Sequence, residues 1–180
     1  MGLGLLITYK SSNNCLVELS NKTLSHIEVH PKIIDYIPEA ISHTSLPKKQ
    51  EDRIRTEIDL NKIVGKSSLI NTEPITKNSD TYFSIRKARE GPSRVALDEQ
   101  PKETSIISIV VDPIDEKQYS LISAWYGHIA PSEPWDNSLL KDRKDLEESL
   151  NFWCCHALVY EEDFMEEPFI STWEKVISSI

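Results

Sequence analysis

Glycine is scarce in this chain of 180 residues, with 5 against 10 prolines, and that excludes a collagen-like repeat. Cysteine is also rare. The three present, Cys15, Cys154 and Cys155, are odd in number and two are adjacent, so they suit a reducing compartment better than a disulfide framework. Long apolar runs are missing. A stretch such as Ile106 to Val111 falls far short of the roughly 20 residues needed to cross a bilayer, so no membrane partner is expected. The opening run Met1 to Tyr9 has no preceding Lys or Arg and no small-residue cleavage site, and Leu6 stands where a myristoylation motif wants Ser or Thr. A cytoplasmic location is the expectation. Positive charge is in deficit too: the net charge is −9, which argues against a general nucleic-acid coat, because that affinity comes from neutralising phosphates.

What is present is a folded composition, 39% hydrophobic and 27% charged, in a chain close to the size of one ordinary domain. One domain over residues 1–180, with a single core, is expected. The charge is divided unevenly. Met1 to Arg94 holds 14 Lys plus Arg and 11 Asp plus Glu, a balance of +3, whereas Val95 to Ile180 holds 6 and 18, a balance of −12. Four cations, Arg86, Lys87, Arg89 and Arg94, crowd around one turn; Glu161, Glu162, Asp163, Glu166 and Glu167 crowd in a later one.

Period-two alternation predicts strands at Leu24 to His30 and Ile54 to Leu60, with the apolar stretch Asn13 to Ser20 a candidate hairpin partner of the first and another short strand at Ser68 to Thr72. Pro31 to His43 is ambiguous, because Pro31 opens a helix that Pro38 would interrupt. The middle predicts strands near 82–88, 93–98, 105–111 and 118–126, with Gly91 in the first turn and Asp112 to Lys117 as a later loop. Short connections then make them an antiparallel meander. Leu146, Leu150, Trp153, Cys154, Ala157 and Leu158 recur at helical spacing and predict a helix from about 142 to 159; Ser171 and Glu174 match a capping box for a terminal helix. The expected class is α+β, a central antiparallel meander covered by C-terminal helices.

Three segments offer chemistry. His26, Glu28 and His30 share a strand face, but same-face neighbours sit about 7 Å apart and a further ligand is wanting, so a solvated face is the better reading and no metal or other cofactor is assigned. Cys154-Cys155-His156 has the residues of a nucleophilic pair, yet Cys154 falls in the apolar stripe and reads as a core thiol. On the strand Ser123 to His128, Tyr126 and His128 share a face beside a Pro-rich turn. An imidazole there moves protons near neutral pH, and the guanidinium of Arg86 or Arg94 from a neighbouring strand holds a phosphate. The plainer alternative is that Trp125 and Tyr126 pack the sheet edge, His128 bonds a carbonyl, and the basic tract is a solvated hairpin.

Ile63-Val64-Gly65, the Arg86 to Arg94 hairpin, the segment Ala130-Pro131-Ser132-Glu133-Pro134-Trp135-Asp136 and the segment Phe152 to Tyr160 together resemble a group of small, uncharacterised bacterial proteins. The resemblance covers about 55–160 and implies no activity. In strand order and residue type, a basic hairpin followed by a meander also resembles the barnase, EndoU, colicin and RelE-like group of metal-independent ribonucleases. One reading of the residues is an enzyme that cleaves RNA without metal through the RNA's own 2′-hydroxyl, with His128 or Tyr126 moving protons, Arg86 and Arg94 stabilising the phosphorane-like charge, and Lys87 and Arg89 binding the RNA. A second reading is a non-catalytic interaction, immunity or regulatory protein whose acidic C-terminal half docks on a basic protein surface.

Overall fold

A computed structural model describes residues 7–27, 30, 32–48, 52–87, 91–136 and 143–179. In chain order the elements are β1 (Ile7–Lys10), β2 (Leu16–Leu19), α1 (Asn21–Ile27), α2 (Ile33–His43), β3 (Ile54–Asp59), β4 (Gly65–Ser67), β5 (Leu69–Asn71), β6 (Thr81–Ile85), β7 (Pro92–Ala96), β8 (Lys102–Thr104), β9 (Ile106–Asp115), β10 (Gln118–Tyr126), α3 (Arg143–Cys155), β11 (His156–Val159), β12 (Phe169–Ser171) and α4 (Trp173–Ser178). Both sheets and helices are present. The chain divides into two compact units: Met1–Ser67 with Glu103–Ile129, and Ser68–Lys102 with Ala130–Ile180. Each unit has its own apolar cluster, where chain length had suggested a single core.

In the first unit the sheet order is β1-β2-β10-β9-β3. β9 and β10 form the expected hairpin, but β9 runs on through Pro113 to Asp115, and the turn shrinks to Glu116 and Lys117, with Lys117 in left-handed geometry at φ 58°. Pro113 is tolerated because β3 pairs with β9 only from Ile106 to Val111, so its missing N–H faces no partner strand on that side. β2 joins β10 in parallel, which makes the sheet mixed. The alternation in Leu24 to His30 is overruled by a local cap: the Ser20 hydroxyl accepts from the Thr23 amide at 3.2 Å, and α1 follows instead of a strand. Glu28 and Val29 of that segment lie outside the described residues. α2 continues through Pro38, which sits on its exposed side while Ile33, Ile37, Ala40 and Ile41 are buried; that burial offsets the lost hydrogen bond. They pack with Val17, Leu19, Ile107, Ile109, Val111 and Leu121.

The second unit holds a sheet of order β12-β6-β7-β11-β5, again mixed, since β11 runs parallel to β7 while the other neighbours are antiparallel. The expected meander is therefore corrected. β6–β7 and β9–β10 are both hairpins, but they belong to different sheets, because β8 between them pairs with β4 and the free side of β7 takes β11. β11 itself had read as helix. α3 stops at Cys155, and from there burial follows period two through Ala157 and Val159. Within this unit the C-terminal helices pack through Trp153 of α3 and Trp173 and Val176 of α4 against Phe83. Thr172, not Ser171, caps α4, accepting the Lys175 amide at 3.1 Å.

Candidate functional site

The hairpin of β6 and β7 is where the sequence concentrates its cations, and the structure turns two of them inward. The Arg86 Nη2 donates to Glu133, whose side chain is 3% exposed, and the Ser93 hydroxyl donates to the same Oε1 at 2.7 Å. A buried carboxylate is sustained only by such paired, hydrogen-bonded surroundings. The Trp135 indole N–H donates to the Pro92 carbonyl at 2.6 Å, and the same ring lies so close over Gly91 that an added Cβ would stand 2.3 Å from it. Gly91 is thus required for its missing side chain.

Arg94 is 6% exposed and, among the described residues, has no carboxylate partner. Its Nη1 donates to the carbonyls of Trp153, Cys154 and His156 at 3.2, 3.0 and 3.3 Å, taking up acceptors that the end of α3 leaves open. Burial pushes the Arg94 pKa down, partly countered by Cys154 and Cys155. Burial pushes the Cys154 thiol up, with Arg94 opposing and Cys155 adding to the shift, so a thiolate is disfavoured there. His156 stacks flat on Phe152, centroids 3.9 Å apart, with Nδ1 2.8 Å from the Phe152 carbonyl. α3 is further tied down by Ser149 to the Ser132 carbonyl at 2.7 Å and Trp153 Nε1 to the Pro131 carbonyl at 3.2 Å. A groove of about 470 Å³ lies beside this helix, lined by Thr76, Lys77, Asn151, Cys154 and Cys155 among others, but by none of the expected site residues.

Lys87 remains exposed, and its Nζ donates to the carbonyls of Glu162 and Asp163 at 3.1 and 3.0 Å. Its backbone N–H donates to Phe164 at 3.0 Å, and a bridge joins Arg86 to Met165. The basic hairpin and the acidic turn are therefore bonded neighbours. Arg89 lies outside the described residues.

Tyr126 and His128 belong to the first unit, Arg86 and Arg94 to the second. Tyr126 is 7% exposed, its ring against Gly65, and burial with help from Tyr36 and Asp35 pushes the phenol up to about 12. That makes it a poor proton shuttle near neutrality. His128 is exposed; its Nδ1 lies 2.9 Å from Glu57 Oε2, while the Ile129 amide donates to Glu57 Oε1 at 2.6 Å. Burial alone would raise the Glu57 pKa, but the Ile129 and His128 bonds outweigh it and the net shift is downward. Among the described residues no group of three or more His, Cys, Asp or Glu is arranged to hold a metal ion, and no helix is long and apolar enough to cross a membrane.

Glu133 and Ser93 were given no role by sequence reasoning. The available signal was one carboxylate framed by Pro, Pro and Trp, which marks a rigid, buriable setting unlike the open acidic runs elsewhere. No family model, curated protein or solved structure matches the chain.

Proposed function

We propose that this chain is a non-catalytic binding protein that docks on a basic surface of another protein through its acidic turn at 161–167. The observation that supports it is the state of the carboxylates. Glu162, Asp163, Glu166 and Glu167 are exposed and enter no ion pair among the described residues, although Lys87 is close enough to bond two carbonyls of the same turn. The turn is also pre-shaped. The amides of Phe164 and Met165 both donate to the Glu161 carbonyl at 3.0 Å, Glu166 donates to Ile85 at 2.9 Å, and Met165 is buried beneath. A patch held in this way loses little freedom on binding and steers an oppositely charged partner.

The ribonuclease reading draws less support, because its two guanidinium groups are engaged in internal bonds and its phenol is buried and hard to ionise. The test is to replace Glu162, Glu166 and Glu167 by Gln and Asp163 by Asn, then measure binding of a purified basic partner at low and high salt. Affinity should fall at least tenfold and most of the salt dependence should go, while Arg86→Ala and His128→Ala change neither. Metal-independent RNA cleavage that disappears with His128→Ala would overturn the proposal in favour of catalysis.

A further inference from the structure

Sheet edges that carry alternating charges resist pairing with other chains. The first unit follows this rule: along β3 the exposed positions are Arg55, Glu57 and Asp59. The second unit departs from it. Its outermost strand β12 pairs with β6 and, among the described residues, with no strand on its other side. Phe169 and Ile170 on β12 are 40% and 62% exposed, and Tyr82, directly opposite Ile170 in the register and hence on the same face, is 42% exposed. Phe169, on the other face, stacks on buried Phe83 with centroids 6.2 Å apart. The acidic turn leads into this edge through Glu166 and Glu167, and Pro168, lacking an N–H, sets the start of the available ladder at Phe169.

We propose that the outer edge of β12 receives an extended, lysine- or arginine-bearing segment of a partner protein as an added strand, with one apolar side chain of that segment seated on Tyr82 and Ile170. The proposal rests on the reading of the acidic turn as the docking surface and names the form the partner takes there. Main-chain bonds to the edge supply affinity, the seat on Tyr82 and Ile170 selects an apolar residue, and the unpaired carboxylates select flanking cations. A second copy of this chain is a poor occupant. Twofold pairing of two β12 edges is antiparallel and would set each acidic turn beside the other copy's Ser171 to Glu174, a stretch with no cation to meet it.

The probe is a short fluorescent peptide of alternating lysine and valine, with a control of the same sequence N-methylated on alternate residues, which keeps the charge but cannot complete a ladder. The full chain should bind the unmodified peptide about tenfold more tightly or better, with new protection of backbone amides within 169–171 by NMR hydrogen exchange. Ile170→Thr, a change at an exposed site, should weaken that binding about tenfold; Tyr82→Thr on the neighbouring strand gives the same readout should the first variant unfold. Equal binding of both peptides, sensitive only to Glu166→Gln and Glu167→Gln, would overturn strand addition while leaving the acidic turn as docking surface. Failure of both peptides to bind would overturn both readings. Concentration-dependent dimers in light scattering that vanish with Ile170→Thr would assign the edge to a second copy and overturn the proposal.

Discussion

The two units are held by different physics. Ile33, Ile37, Ile41, Ile107, Ile109 and Val111 fill the first with aliphatic side chains from one helix and a sheet. The second packs Phe83, Trp153 and Trp173 edge-on and tilted, with Phe83 to Trp173 at 4.8 Å, and adds a polar network of Arg86, Ser93 and Glu133 and, separately, the bonds of Arg94 to the end of α3. Aliphatic burial is non-directional, so the first unit should absorb small changes of shape. A buried ion pair is directional, and losing one member leaves the other charge stranded. The residues that look most reactive in the sequence of the second unit are therefore its internal fastenings, and its free chemistry lies at a turn and an edge.

The largest expected effect tests the aromatic core. Trp153→Ala should destabilise by about 3–5 kcal/mol in chemical denaturation, whereas Ile37→Val in the first unit should cost about 0.5–1.5 kcal/mol. An unchanged midpoint for the tryptophan variant would remove it from the core. Glu133→Ala should come next, at roughly 2–3 kcal/mol, somewhat below a fully enclosed pair because the Arg86 side chain is 27% exposed. Replacing Arg86 and Glu133 together by Met should recover most of that loss; no recovery would mean that the pair is not the unit of stabilisation.

The first unit is sharpened by pH. The Tyr126 phenol titrates near 10 when unfolded and about 12 when folded, so its stabilising share is complete below pH 10 and is lost as pH rises through about 12. Denaturation midpoints should fall across that window, and Tyr126→Phe should flatten the fall. The smallest effect belongs to the surface: Arg53→Ala, which removes the exposed bridge to Asp112 at 2.6 Å, should change stability by less than about 1 kcal/mol and less still in high salt.

Local features were legible where their cause was local. The hairpins β6–β7 and β9–β10, the alternation in β3 and the start of α3 all follow from patterns within a dozen neighbours. α1 was misread because a single capping hydroxyl at Ser20 outweighed an apparent alternation, and β11 because Ala157 continues a helical spacing by coincidence. Sheet membership was illegible. β7 accepts β11 from 60 or so residues later, and no short-connection rule predicts that choice.

The same division holds for the candidate site. Composition alone determined that the later half is strongly acidic and that the turn at 161–167 carries carboxylates in excess of cations, because charge density is a property of the sequence itself. Only the tertiary structure decided which charges remain outside. Arg86 meets Glu133 across 47 positions and Arg94 meets the end of α3 across 59 or more, and whether a guanidinium is available to a ligand depends on which acceptor the fold delivers to it. Burying a charge requires a partner in place, and that partner is chosen by packing over distances that no local pattern spans.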